Sequence, residues 1–250
     1  MKRQFRHLPF AAAVMLCASL VSYSQGEASK SVSTTTASTA ASVSAAAGPL
    51  DLARAAFTAQ GGEKFRALKN MLLTGSVDLY PPNSTNSAPG KFVIVSSGSR
   101  LRMEVDARPI IYFKQLSDGQ NTYSSLPGVQ FPPPSKFGLA VLARFDQTGY
   151  NVTAMPDNKK MHGFKITDPD GNATDFYVDA AGHVVTFLYQ YSGYNFGVEN
   201  SKFKEVDGVL VPFKFTQRIE MPQGAAFAEF TVKDVKLNQQ LTDDVFAIPN

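Results

Sequence analysis

Tryptophan is absent from the 250 residues, and cysteine occurs once, at Cys17. Cys17 lies inside LPFAAAVMLCASLV, an apolar run that follows the charged MKRQFRH. The run has the length of a signal-peptide hydrophobic region and is short for a bilayer span. Residues 1–24 therefore read as a secretory signal, with Ser22 and Ser24 as the small residues before the cut. A lipidated cysteine wants a small residue directly before it, and Leu16 stands there. A chain cut after Ser24 carries no cysteine, which excludes disulfides, thiol nucleophiles and thiolate metal sites together. No later apolar run is long enough for a transmembrane helix.

An excess of one charge is missing too. The formal charge is +3, and Lys2, Arg3 and Arg6 account for all of it. The remaining 21 basic residues face 21 acidic ones. Nucleic acid is not an expected partner, because phosphate binding needs a clustered basic surface. Catalytic motifs are equally sparse. There is no G-x-S-x-G elbow. His162 and His183 stand alone, each beside a glycine at a strand start, with no paired ligand. Asp168-Pro169-Asp170-Gly171-Asn172 begins like a calcium loop but lacks its later ligands, and it reads as a hairpin turn. The sequence asks for no metal, no cofactor and no catalytic residue.

What is present is apolar and aromatic: 44% hydrophobic residues, with 19 Phe and 9 Tyr. Residues 25–48 are built from Ser, Ala and Thr and read as a disordered leader, since they offer little apolar surface to offset ordering entropy. The folded domain is expected over residues 49–250. PLDLARAAFTAQGG predicts a helix with Pro49 and Asp51 in its first turn and Gly61-Gly62 at its end. A further turn is expected around Lys64 to Leu68. From Asn70 the hydrophobic period becomes two. Strands are expected at 70–80, 91–97, 100–107, 109–117, 120–125, 149–155, 162–168, 173–179, 183–192, 194–206, 209–220 and 225–237. Short Asp-Gly and Ala-Gly connections join them as an antiparallel meander. After Pro132-Pro133-Pro134, Ser135 reads as an N-cap. Phe137, Val141, Leu142 and Phe145 follow at helical spacing and predict an apolar helix over 136–147. TDDVFAIPN reads as a last turn, with Thr242 as cap and Phe246 packed inward.

The fold class is thus mainly β (α+β). In GVLVPFKFTQRIEM, Val209, Val211, Phe213, Phe215 and Ile219 share one strand face. Alternation nominates an inward set: Leu73, Val77, Leu101, Met103, Val105, Ile111, Phe113, Phe187, Tyr189, Tyr191, Val211, Phe213, Phe215, Phe230 and Val232. Phe137, Val141 and Leu142 of the central helix join it. Two readings stand side by side. The set packs on itself as core, or it lines a concavity for an apolar ligand. Lys202, Lys204, Lys214, Arg218, Lys233 and Lys236 read as outer-face residues. They form either a mildly basic patch or an ordinary wet face interspersed with Glu205, Glu220, Glu229 and Asp234.

Three features carry a resemblance: the helix ending in Gly61-Gly62 with the Phe65/Leu68 turn, LLTGSVDLY as first strand, and VDGVLVPFKF followed by FTVKDVKLNQQLTDDVFAIP. On these the chain resembles the bacterial periplasmic carriers of the LolA/LolB type, the outer-membrane lipoprotein-sorting proteins. The resemblance spans roughly residues 49–250. It implies one highly curved antiparallel sheet forming an incomplete barrel, with an N-terminal helix and a central lid or plug helix at 136–147. It also implies a non-enzymatic carrier, exported to the periplasm. Such a carrier holds acyl chains of lipids or lipoproteins on its concave face and works with an inner- or outer-membrane protein partner. It transfers no individual binding residue. The other reading is a sensing module of the same fold with a collapsed cavity, acting through an envelope partner.

Overall fold

The computed structural model describes residues 47–126, 130–222 and 224–249. The signal segment 1–24 and the leader up to residue 46 lie outside the described residues. Helix α1, Pro49–Ala59, starts with proline at its first position and Asp51 in its first turn. Its buried stripe is Leu52, Ala53, Ala56 and Phe57. The helix stops in a double glycine turn. Gly62 N–H donates to Phe57 O at 2.9 Å and Gly61 N–H to Thr58 O at 3.0 Å. These are the two bonds of a Schellman cap. Gly61 sits at φ +116, and a side chain there would meet Gly208 O at 2.5 Å. One more turn, α2 (Glu63–Arg66), leads into the sheet.

The sheet has twelve antiparallel strands: β1 Met71–Tyr80, β2 Ala88–Ser97, β3 Arg100–Ala107, β4 Ile111–Ser117, β5 Thr122–Ser124, β6 Asn151–Asn158, β7 Met161–Thr167, β8 Ala173–Val178, β9 Val184–Tyr191, β10 Tyr194–Val206, β11 Val209–Met221 and β12 Gly224–Leu237. Their order is β5-β4-β3-β2-β1-β12-β11-β10-β9-β8-β7-β6. Every neighbour in this order is a chain neighbour except at one seam, where β1 pairs with β12 from Met71↔Leu237 to Tyr80↔Phe227. The two free edges, β5 and β6, are consecutive in the chain. The sheet is therefore an unclosed ring whose gap lies between β5 and β6, and residues 130–150 are the described part of the connection before β6. Its edges are blunted, β5 by being three residues long and β6 by Pro156 and a bulge after Met155.

The curvature is read from the rings. Phe113 on β4 and Phe196 on β10 are six strand spacings apart, roughly 29 Å along the sheet at about 4.8 Å each. Yet the single ring of Phe131 lies 5.5 Å from Phe113 and 6.1 Å from Phe196, centroid to centroid. Phe92 on β2 reaches Phe215 on β11 at 6.3 Å, across two intervening strands. Only a strongly rolled sheet brings these side chains together. Inside the roll are two apolar clusters. One joins α1 to Phe164, Ile166, Phe176, Val178 and Val184 of β7–β9. The other joins β1–β4 to β11 and β12 through Val77, Phe92, Val105, Val211, Phe215 and Phe230. Phe65 packs against both.

Three expectations need correction. The segment 136–147 is not a long helix. It holds one turn, α3 (Leu139–Leu142), with Gly138 rather than Ser135 at its cap position. Gly138 takes φ +62, and its missing side chain lets the backbone lie on the Phe187 ring, which an added Cβ would meet at 2.8 Å. Tertiary packing, not helical propensity, sets this stretch. Secondly, Phe246 in the 3₁₀ turn Asp243–Phe246 is buried on the outer face of the sheet. The Arg100 guanidinium lies 4.7 Å over its ring, and Arg102 donates to Val245 O at 3.0 Å. Both arginines belong to the wet face of β3, so the chain end covers that face. Thirdly, Lys204 is not an outer-face residue, and the late basic residues fit the wet-face reading of the two. Lys214 pairs with Glu229, Arg218 with Glu220 and Lys236 with Asp234. Lys204 stands over the Phe213 ring at 4.2 Å, on that residue's side of β11 rather than apart from it.

Candidate functional site

The concave face is the candidate site. Leu73, Val77, Met103, Val105, Phe113, Val211, Phe215, Phe230 and Val232 are buried together in the cluster of β1–β4, β11 and β12, and Ile111 and Phe213 pack half-buried against it. Leu101 is half-buried, two residues before Met103 on β3. Val141 and Leu142 are buried in the other cluster, with Phe187 packed on them. Phe137, Tyr189 and Tyr191 meet beside it. Phe137 stacks on Tyr189 at 4.5 Å and meets Tyr191 edge-on at 5.9 Å. The sequence-derived set is thus divided between two clusters, which are linked by an aromatic file.

That file was only partly visible in the sequence. Phe164 stacks on Phe176 at 5.1 Å, and Phe176 lies 6.3 Å from Phe187. Tyr189 stacks on Phe196 at 5.2 Å, and Phe131 continues to Phe113. Phe164, Phe176 and Phe196 alternate with polar neighbours, so periodicity could have found them. Phe131 sits beside a proline run and Phe92 in a strand apolar on both faces, so no period marks either. Burial pushes the Tyr189 phenol pKa up, so the ring stays neutral and behaves as an apolar wall with one polar tip.

Residues 130–146 enter this concavity as a plug. Phe131, Phe137, Val141, Leu142 and Phe145 supply its apolar contacts. Its polar fastenings to the rest of the described chain are few. Arg66 Nε donates to Ala143 O at 2.8 Å, and Arg66 Nη2 meets Asp146 at 2.7 Å. Gly138 N–H donates to the buried Thr174 Oγ1 at 3.3 Å. Ser192 Oγ donates to Gln130 Oε1 at 3.0 Å. Lys136 pairs with Asp170 and, at 3.7 Å, with Asp168. Asp168 organises the β7–β8 turn. Its Oδ1 accepts from Asp170 N–H and Asn172 N–H, and its Oδ2 from Asn172 Nδ2. Burial alone would raise its pKa. The hydrogen bonds from Asn172 and Asp170, with Lys136 nearby, hold it below the ordinary value. The turn reading of this stretch is what the geometry presents.

One polar group inside is unexplained by packing. Gln60 closes α1 on the same helix face as Ala53, Ala56 and Phe57 and is 1% exposed. Neither its Nε2 nor its Oε1 has a hydrogen-bond partner. His162 and His183 lie in different hairpins, His162 against Asp157 and His183 against Asp179, each at 3.0 Å. Among the described residues no three metal-ligating side chains gather. No described helix is long and apolar enough to cross a membrane.

No family model matches the sequence, and no curated protein matches it. Solved structures do match the fold. A LolA superfamily protein from Nitrosomonas europaea superposes with a TM-score of 0.52 at 12% identity, over 81% of this chain and 99% of that one. A DUF1329 family protein from Desulfovibrio piger gives a TM-score of 0.51 at 12% identity, over 80% and 98%. The fold is LolA-like: a curved, unclosed antiparallel sheet with few helices.

Proposed function

We propose that the protein is a non-enzymatic carrier of the bacterial envelope that holds acyl chains of lipids or lipoproteins in its concave face. The observation that carries this reading is the plug. A continuous aromatic and aliphatic wall is filled by a segment that no strand pairing holds: it rests on the buried side chains of Phe137, Val141, Leu142 and Phe145 and on a handful of polar fastenings. Displacing residues 130–146 exposes the wall without breaking a strand pair. Each CH₂ of an entering chain then contributes about 0.8 kcal/mol, so a long acyl chain offsets the contacts the plug gives up. The LolA-like fold and the signal-like N-terminus support export to the periplasm, with delivery to or from a membrane protein.

The test is to purify the exported chain without detergent, extract it with organic solvent and identify lipid by mass spectrometry beside the native mass. Stoichiometric lipid is expected. Protein that is clean, and stays clean after incubation with phospholipid, overturns the reading. Phe213→Asp is expected to abolish lipid retention while the chain stays folded, because Phe213 is only half-buried and Lys204 stands over it. Met103→Asp should abolish it as well, but Met103 is buried, so loss of folding must be checked by thermal melting.

The near-complete burial of Val77, Val105, Val211 and Phe230 favours one second reading, a sensing module whose concavity stays filled. Under it, wall substitutions leave function intact and removal of residues 25–46 destroys it.

A further inference from the structure

The convex side of β7–β11 carries an open groove apart from the concave face. Strand register places Lys165, Asp175, Leu188, Gly197 and Arg218 in one row across five strands. The row beside it brings Gln190, Asn195 and Glu220 opposite one another. Leu188 lies between Phe187 and Tyr189 in the strand, so it points away from the aromatic file of the concave face. Between the two rows runs an open groove of roughly 720 Å³, within the span of small-ligand sites, about 300–1,000 Å³. Gly197 makes its floor. A Cβ there would lie 3.0 Å from Leu188 Cδ2 and 3.9 Å from Arg218 Cβ, so the glycine leaves a trough between those side chains.

The chemistry of the lining selects among ligands. Two cations and two anions line the groove and pair among themselves, Lys165 with Asp175 at 3.3 Å and Arg218 with Glu220 at 2.6 Å. The compensated charge gives no pull on a polyanion or an anionic bilayer surface. A protein partner would meet charged residues where interface cores are depleted of them. A hydrocarbon chain would find one outward large apolar side chain, Leu188, 40% exposed at the centre, because the Tyr189 and Phe196 rings of the same lining stack together on the concave side. What remains is a neutral ligand whose groups both donate and accept. Carboxylates and amide oxygens accept here, guanidinium, ammonium and amide nitrogens donate, and Leu188 offers a platform for a C–H face. We propose that this groove binds a neutral saccharide chain, lying across the strands.

The test uses the full exported chain and three uncharged probes: the N-acetylglucosamine tetramer, maltotetraose and cellotetraose. Titrations are followed calorimetrically and by amide chemical shifts. Wild type is expected to bind at least one probe, with shifts confined to β7–β11. Gly197→Val fills the floor at a position with no positive φ, and it should weaken binding at least about tenfold. Leu188→Ala removes the platform at an exposed site and should do the same, which keeps the test intact if the glycine variant fails to fold. Phe213→Ser, on the concave side, should leave saccharide affinity unchanged. Absence of binding to all three probes at millimolar concentration overturns the proposal. So does equal binding by folded Gly197→Val and Leu188→Ala, or shifts that map to the concave face instead.

Discussion

At the residue scale, two buried polar groups with opposite fates make the sharpest tests. Gln60 has lost water and gained no partner, which costs about 1–3 kcal/mol for an unsatisfied buried polar group. Gln60→Met keeps the length and removes both orphan atoms. It should raise stability by about 1–2 kcal/mol in urea titration. A loss of stability would mean the amide has a bound partner in solution. Asp168 is the reverse case, a buried carboxylate with every oxygen engaged. Its folded pKa is depressed, so the unfolded chain takes up the proton first as pH falls. The stability it contributes is fully present above the ordinary carboxylate value of 3.8 and is lost as pH drops through the lower folded value. Asp168→Asn should therefore cost about 1–2 kcal/mol at neutral pH. The gap to wild type should close in acid unfolding measured below about pH 4. The turn built on Asp168 was legible from its five residues, because Asp, Pro, Gly and Asn each favour that geometry. Gln60 was not. A glutamine before Gly-Gly reads as a wet cap, and only the packed helix face shows it sealed.

At the element scale, twelve strands were legible within a few residues because each has one buried face, and a period of two cannot be kept by a helix. The same logic misread 136–147. Phe137, Val141, Leu142 and Phe145 do sit at helical spacing and all four are buried, yet the backbone between them is a series of turns around one helical turn. Burial on every side of a plug makes apolar spacing uninformative about conformation. Gly138 is where the conformation is decided. Gly138→Ala combines a left-handed φ with a clash on the Phe187 ring, so it should lift the plug. Hydrogen exchange of residues 139–146 should rise well before that of the sheet. The seam between β1 and β12 depends on another glycine. A Cβ on Gly75 would stand 2.0 Å from Thr231 O, at the point where the register shifts. Gly75→Ala should cost at least about 2–3 kcal/mol in urea melting, since it forces the two strands apart.

At the scale of the whole molecule, alternation told which residues face inward but not how far the sheet rolls, nor what fills it. Curvature is a sum of small twists over twelve strands, and no single residue encodes it. The division of the inward set into two clusters, joined through Phe65, Phe131 and the aromatic file, is visible only in three dimensions. The seam has a consequence for how the chain is made. Every strand pair except one is a hairpin that can zip as its second strand appears. β1 alone must wait, carrying ten residues of bare edge while some 140 further residues are synthesised. The ring's gap lies mid-chain and its joint is made last. A chain cut once between β5 and β6 would therefore still own every pairing it needs, with its two pieces meeting where β1 and β12 of the uncut chain already do.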